Sequence, residues 1–348
     1  MYHWWKLDEE SRKRVWRLYG WFCGLMCSGS CCGVVASVFW MQYLVYFYQT
    51  TDELIAAQSI SDLHKVDAVA YSNRFYHLAS SPVAFSLEFS FLSVAKLLVL
   101  DRLLHVAMPR ALATSQRWAT AGRLVVGSIV VGNVVYVGSS IAAAAYFWRS
   151  FQLYKSLSEA LLSNNSSYES FVMFREAGAN TSNGARYYSY GEFCEVIVLI
   201  LIVAVFSVLG ALCARRMRSA LRHIPENASE QLRGELVGVR RQIIATVYIV
   251  FLTFLLRSIA AGMFAVANSR QNNSCFSQNS SECNAFSFLQ AWFFYTPEFQ
   301  SSVEFIASPL TMMITLWGMT TDRTLQLMRR HTGDGKAIGL VAASAGTA

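Results

Sequence analysis

The sequence predicts an all-α fold, namely a polytopic membrane helix bundle with six transmembrane helices and both termini in the cytoplasm. Three observations support this prediction. Of the 348 residues, 54% are hydrophobic and only 15% are charged, whereas ordinary soluble domains carry about 25% charged residues. The apolar residues form six blocks, and each block reaches the roughly 20 residues that a helix needs to cross a bilayer. Lysine and arginine collect in alternate connections between these blocks.

The predicted spans and the segments between them account for most of the chain. The spans lie at about 19–48, 82–104, 124–148, 193–213, 243–267 and 299–320. Outer loops are predicted at 49–81, 149–191 and 268–298, and a basic cytoplasmic hairpin is predicted over 214–241. None of these connections is long enough to bury a core of its own. We therefore expect residues 1–348 to form a single membrane domain.

Some of the connections also have helical character. The outer segments TDELIAAQSISDLHKV and FQLYKSLSEALL place apolar residues on one face of a helix, so we expect them to lie on the membrane surface or to fold over the bundle. In the basic hairpin, the fourth helix is expected to continue as far as Pro225. Asn227 and Glu230 have the spacing of a capping box, and the helix that they start is expected to run into the fifth span.

The distribution of basic residues predicts the orientation of the chain. The N-terminus, the second–third loop, the fourth–fifth loop and the C-terminal tail hold 19 Lys and Arg residues, whereas the other three loops hold 7. Lys and Arg are enriched on the cytoplasmic side of membrane proteins. Both termini are therefore expected in the cytoplasm.

Glycosylation motifs favour the same orientation. Asn-x-Ser/Thr triplets in the predicted outer loops begin at Asn164, Asn165, Asn180, Asn272 and Asn279. A sixth triplet, at Asn227, lies in the basic hairpin. This one-sided distribution predicts an integral membrane glycoprotein of the secretory pathway, and we expect it in the plasma membrane.

The cysteines and small residues suggest packing roles. Cys275 and Cys283 share an outer loop, so either a disulfide in an oxidising compartment or two free thiols is expected there. The first span carries two rows of small residues, Gly20, Gly24, Ser28, Cys32 and Ala36, and Gly29, Gly33 and Ser37. Such rows let helices approach closely, within the chain or in a homo- or hetero-oligomer. The histidines are scattered, so we expect no metal and no cofactor.

Ionisable side chains within the predicted spans form the main candidate site. The expected intramembrane charge cluster comprises Glu88, Lys96, Arg257, Glu304 and Glu195. At about 1.5 Å per residue, Glu88, Arg257 and Glu304 lie at a similar depth, and isolated charges there cost several kcal/mol. These three are therefore expected to pair inside the bundle. Lys96 has no acid at its own level, so we expect it to be deprotonated or to line a wet cavity.

A short motif follows at the inner end of the same span. Asp101, Arg102, Val106 and Pro109 form the pattern D-R-x-x-x-V-x-x-P. This pattern resembles the signature at the inner end of the third helix of rhodopsin-like G-protein-coupled receptors. The resemblance implies a cytoplasmic switch at Asp101 and Arg102 that opens on activation.

The sequence favours a non-enzymatic receptor or signalling protein and leaves two alternatives open. The Asp-Arg motif favours a receptor or signalling protein. The buried charges favour an ion- or proton-coupled transporter or channel. If the polar groups only fix helix register, the chain is a structural subunit of a larger complex. The metalloprotease, serine-hydrolase and phosphate-binding motifs are missing, so no enzyme is expected. The expected partners are the lipid bilayer and, at 214–241, anionic lipids or a cytoplasmic protein, with no nucleic acid.

Overall fold

The computed structural model describes residues 9–56, 68–107, 116–162, 168–222 and 230–271, together with Val303. This part of the chain is entirely helical, which confirms the all-α prediction for it. The five helices in it are α1 (Glu9–Ala56), α2 (Ala68–Ala107), α3 (Gln116–Leu162), α4 (Tyr168–Arg222) and α5 (Glu230–Gln271).

Four of these helices are long and apolar enough to cross a membrane. The apolar segments are Gly20–Thr50 in α1, Ser72–Leu98 in α2, Thr120–Ala160 in α3 and Val172–Leu212 in α4. A shorter apolar segment, Phe251–Val266, lies in α5. Many valine and isoleucine side chains on the outer faces of these helices are exposed, and water would not stabilise so large an apolar surface. The chain is therefore an integral membrane protein whose apolar faces are covered by lipid.

The helices extend well beyond the predicted spans. The predicted outer loop 49–81 is helical up to Ala56 and again from Ala68, and the loop 149–191 is helical up to Leu162 and again from Tyr168. FQLYKSLSEALL forms a helix as predicted, but it continues α3 instead of forming a separate surface helix. Apolar content marks only the stretch that lies in lipid, whereas the backbone hydrogen bonds of a helix continue into polar sequence.

The helices of the basic hairpin end and begin close to their predicted positions. α4 continues from its apolar segment to Arg222, and α5 begins at Glu230 and runs without interruption to Gln271. The continuous run of α5 into the fifth span is thus confirmed, whereas the continuation of α4 as far as Pro225 stays a prediction. Residues 223–229, which include Pro225 and Asn227, lie outside the described residues.

A proline lies inside α2 without ending it. Pro82 has no N–H to donate to the carbonyl group of Leu78, one turn earlier. The hydroxyl group of Ser81 donates to that carbonyl oxygen at 3.4 Å. Side-chain donors of this kind are one way in which membrane helices tolerate proline.

α2 lies at the centre of the described bundle. It packs against α1, α3 and α4, while α4 also packs against α3 and α5. In its most apolar stretch, α2 is more deeply buried than α1, α3 or α4. A charged side chain on α2 is therefore kept away from lipid more completely than one on α1 or α3.

The two larger of three apolar clusters in the described interior lie at successive depths. The first contains Phe89, Tyr136, Val198, Phe254 and their neighbours. The second contains aromatic residues from all five helices, namely Trp40, Tyr43, Phe85, Phe147, Tyr188 and Phe264. Glu88 on α2, Glu192 and Glu195 on α4 and Arg257 on α5 lie between these two clusters along their helices, whereas Lys96 lies within the first cluster.

Close helix contacts depend on glycine, as the small-residue rows of the first span predict. A Cβ at Gly29 of α1 would lie 3.2 Å from the side chain of Leu92 on α2, and the next glycine of that row, Gly33, faces Glu88. Gly20 and Gly24, from the other row, have no atom near enough to be crowded by a Cβ. In that other row, the contact lies further along α1, where Ala36 is fully buried.

Candidate functional site

Three charged side chains from three helices meet in the interior. Arg257 of α5 donates from Nε to Oε1 of Glu195 on α4 at 2.9 Å. Its Nη1 lies 3.9 Å from Oε1 of Glu88 on α2. The exposed fractions of the three side chains are only 5–8%. We refer to Glu88, Glu195 and Arg257 as the charge network.

Pairing is what allows these charges to be buried. Moving a single carboxylate or guanidinium into a low-dielectric interior costs several kcal/mol, which a partner at hydrogen-bonding distance offsets. Arginine suits the position because its planar guanidinium presents several donors, so one side chain can serve two carboxylates. The short contact with Glu195 and the longer one with Glu88 make the two carboxylates unequal.

α1 packs against the network at Glu88. A Cβ at Gly33 would lie 2.9 Å from the carboxyl carbon of Glu88 and 3.0 Å from its Oε2. Only glycine therefore leaves room for the carboxylate in its present position. Gly33 explains how α1 approaches α2 at the depth of a buried charge.

Aromatic rings lie next to the network at Arg257. The guanidinium carbon of Arg257 lies 5.5 Å from the ring centroid of Phe89, which is within the range of a cation–π interaction. Phe89 in turn packs edge-on against Tyr136 of α3, with ring centroids 5.4 Å apart. The network is thus separated from the next layer of the interior by fully buried rings.

Lys96 lies beyond that ring, two turns from Glu88 on α2. It is 1% exposed, and its Nζ lies 4.4 Å from the ring centroid of Phe254 and 5.6 Å from that of Phe89. Nζ has no hydrogen-bond partner among the residues that the structure describes. Lys96 therefore lies between two aromatic rings, deep in the bundle.

A further buried acid, Glu192, was not singled out by the sequence. It lies one turn before Glu195 on α4 and is almost as deeply buried. Its position three residues from Glu195 places both acids on the same helix face, which is the signal that the sequence offered. Among the described residues, the buried acidic and basic side chains are Glu88, Glu192, Glu195, Lys96 and Arg257.

The structure brings together two members of the predicted trio and adds a different third member. Glu88 and Arg257 approach each other as expected, and Glu195 provides the shorter contact. Glu304 lies outside the described residues, although its neighbour Val303 is buried. Asp101 and Arg102 belong to the last two turns of α2, but their side chains are outside the described part of the chain.

The predicted modification sites fall mostly beyond the described residues. This applies to Asn164, Asn165, Asn272, Asn279, Cys275 and Cys283. Asn180 lies on α4 with a buried side chain, which leaves no room for a glycan unless the neighbouring helix moves. The described cysteines, Cys23, Cys27, Cys31, Cys32 and Cys194, are free thiols.

Comparison with protein-family models, with curated proteins and with solved structures finds no match for this chain. Within the described residues, no group of three or more His, Cys, Asp or Glu side chains is placed to hold a metal ion. The charge network and Lys96 are therefore the features from which a function can be inferred.

Proposed function

We propose that the protein is an ion- or proton-coupled transporter or channel and that the charge network is its coupling element. The observation that carries this proposal is the sharing of one guanidinium, that of Arg257, by two carboxylates from different helices. One contact is short, at 2.9 Å, and the other is long, at 3.9 Å. Glu88 is accordingly the carboxylate that can most easily exchange Arg257 for a proton or a cation.

Two further considerations support this proposal. Ionisable groups are costly within a membrane, and where they occur they commonly mark ion pathways and proton relays. The network also joins α2, α4 and α5, so a change in the charge of Glu88 alters the forces between three helices. Such an arrangement can couple the binding of an ion to a movement of the bundle.

The proposal includes a topology of six spans with both termini in the cytoplasm, in a glycoprotein of the plasma membrane. The uneven distribution of Lys and Arg and the one-sided glycosylation motifs support it. Endoglycosidase treatment is expected to shift the gel mobility of the protein expressed in eukaryotic cells, and Asn272→Gln to reduce that shift. A glycan at Asn227, or a tag on Met1 accessible outside intact cells, contradicts this topology.

Ion flux in proteoliposomes tests the transport proposal. Gradients of H⁺, Na⁺ and K⁺ are imposed in turn on vesicles that contain the purified protein, and internal ion-sensitive dyes report the flux. We expect the wild type to carry at least one of these ions faster than protein-free vesicles, and Glu88→Gln to lose this flux because the exchangeable carboxylate is gone.

Glu176→Gln is the matched control for this experiment. Glu176 is an exposed acid of α4 that pairs with Arg149 at 3.1 Å, so its replacement is expected to leave the flux unchanged. If Glu88→Gln carries ions as fast as the wild type, the network is not the coupling element. If the wild type carries none of the three ions, the transport proposal fails.

A receptor-like function is the second candidate, and the continuity of α2 favours it. One unbroken helix carries Glu88, Lys96 and the Asp101–Arg102 pair, so a change at the network can be transmitted to the end of that helix. On this proposal, the wild type stimulates nucleotide exchange on purified heterotrimeric G proteins, and Arg102→Ala abolishes the stimulation while surface delivery stays normal. A wild type without any stimulation counts against this candidate.

The basic hairpin, residues 214–241, is proposed to bind anionic lipid head groups. Arg215, Arg218 and Arg241 are exposed there, and juxtamembrane Lys and Arg residues are each attracted to anionic membranes. Replacing these three arginines with glutamine is expected to weaken co-sedimentation of the hairpin with phosphatidylserine vesicles. Equal binding to neutral phosphatidylcholine vesicles contradicts the proposal and leaves a cytoplasmic protein as the partner.

A further inference from the structure

Lys96 is the one buried amine of the described bundle, and its surroundings are unusual for a lysine. It lies between the rings of Phe89 and Phe254, and its nitrogen has no hydrogen-bond acceptor in the described part of the chain. Buried ammonium groups in membrane proteins normally pair with a carboxylate or with carbonyl groups. A lysine without such a partner is therefore a candidate for a group that changes its protonation state during function.

The charged groups that act on Lys96 come from three helices, α2, α4 and α5. Glu88 on its own helix, Glu195 on α4 and Arg257 on α5 all act electrostatically on the amine. α3 contributes Tyr136, whose ring packs edge-on against the ring of Phe89. α1 carries no Asp, Glu, Lys or Arg between residues 20 and 50, although the thiol of Cys32 lies close to Glu88.

Both protonation states of Lys96 have a source of stabilisation. Within the described part of the chain, the buried groups include three carboxylates and one guanidinium besides the amine, so an ammonium at Lys96 is balanced by nearby negative charge. The two ring faces add a cation–π interaction with the ammonium. In contrast, a neutral amine avoids the cost of burying a charge that lacks a hydrogen-bond acceptor.

We propose that Lys96 takes up and releases the coupled proton, which makes the proton the coupling ion of this protein. This inference rests on the transport function proposed above. In the step itself, the lone pair of Nζ accepts a proton from water on one side of the membrane and later returns it to water on the other side. On uptake, an N–H bond forms at Nζ while an O–H bond of hydronium breaks and leaves water. On release, the N–H bond breaks while an O–H bond of hydronium forms, so no oxidant, reductant or other reactant is needed.

The geometry of α5 links this step to the charge network. Phe254, which covers the amine, and Arg257, which holds the carboxylates, lie one turn apart on that helix. A movement of α5 that opens the ring of Phe254 to admit water therefore also changes the distance from Arg257 to Glu88. Proton exchange at Lys96 and rearrangement of the ion pairs are thus coupled through one rigid element.

A pH jump on proteoliposomes adsorbed to a solid-supported membrane tests this proposal. The current that follows the jump measures the charge displaced when the protein binds protons. We expect the wild type to give a current and Lys96→Met to give none beyond that of protein-free vesicles. Lys155→Met is the matched control, because Lys155 is an exposed lysine on α3 and its loss is expected to leave the current unchanged.

A second variant and a folding control distinguish loss of the titratable amine from loss of the fold. Lys96→Arg keeps a permanent charge at the site, so it too is expected to lose the current. Melting curves in detergent show whether each variant folds, and Lys96→Gln replaces Lys96→Met if the latter does not. A current of wild-type size in a folded variant without the amine overturns the proposal.

The remaining outcomes separate this inference from the proposed function. If Glu88→Gln loses the pH-jump current while Lys96→Met keeps it, Glu88 is the proton carrier and transport stands without Lys96. If only a jump in Na⁺ or K⁺ displaces charge, the coupling ion is not the proton, and again only the inference fails. If none of the three ions displaces charge, the inference and the transport function fail together.

Discussion

At the scale of single residues, the interior is organised around Arg257. Its guanidinium forms a hydrogen-bonded ion pair with Glu195 at 2.9 Å, and it lies 3.9 Å from the carboxylate of Glu88. Removing one member of a buried ion pair leaves an uncompensated charge and costs about 3–5 kcal/mol, whereas removing both members costs far less. This asymmetry distinguishes a true buried pair from two side chains that merely lie close together.

Arg257→Met is therefore expected to destabilise the protein by about 3–5 kcal/mol, because Glu195 and Glu88 lose their shared partner. Adding Glu195→Met to this variant is expected to restore most of the loss. Unfolding in a detergent titration measures both changes. A double variant that is less stable than Arg257→Met by the full cost of a second independent mutation contradicts the pairing.

The exposed pair formed by Arg149 and Glu176 provides the control. Its nitrogen–oxygen distance of 3.1 Å is close to that of the buried pair, but both side chains are largely exposed. Since exposed ion pairs contribute about 0–1 kcal/mol, Arg149→Met is expected to have little effect on unfolding. Burial, and not distance, then accounts for the difference between the two pairs.

At the scale of helices, glycines set the distances between neighbours. Gly132 of α3 lies against the side chain of Val198 on α4, and a Cβ at this position would overlap it. Gly138, on the same helix, has open space where its Cβ would be. The two glycines have the same intrinsic helix propensity, and they differ in that a neighbouring helix lies against Gly132 but not against Gly138.

Gly132→Ala is expected to destabilise the protein by about 1–3 kcal/mol, the usual cost of overpacking, because α3 and α4 must separate at Val198. Gly138→Ala is expected to have no cost or to stabilise the helix slightly, since alanine is the better helix former. Thermal unfolding in detergent compares the two variants. Equal melting temperatures contradict the close contact between α3 and α4.

The helices themselves could be predicted from the sequence, but their ends and faces could not. Blocks of apolar residues in α1 to α4 reveal a span because lipid requires them, yet polar residues near Ala56 and Leu162 continue the same helices. The depth of Glu88 and Arg257 was enough to predict their approach. Depth says nothing about how a helix is rotated, so Glu195 was not recognised as the nearer partner, and Glu192 was not recognised as buried.

At the scale of the whole molecule, the arrangement of helices separates charge from lipid. α2 carries Glu88 and Lys96 and is the most enclosed of the four long apolar helices, whereas α1 and α3 present valine-rich faces outwards. In a bilayer, the outer faces are solvated by acyl chains while the interior holds paired ions between two aromatic clusters. The fold therefore places its ionisable groups where a movement of helices can alter their partners.

The most direct test of this account is a structure of the full chain in a lipid nanodisc, determined by electron cryomicroscopy. We predict that Nε of Arg257 lies within hydrogen-bonding distance of a carboxylate oxygen of Glu195, with Glu88 beside them, and that acyl chains cover the outer faces of α1 and α3. A structure in which Arg257 faces lipid or bulk water, away from both carboxylates, contradicts the account.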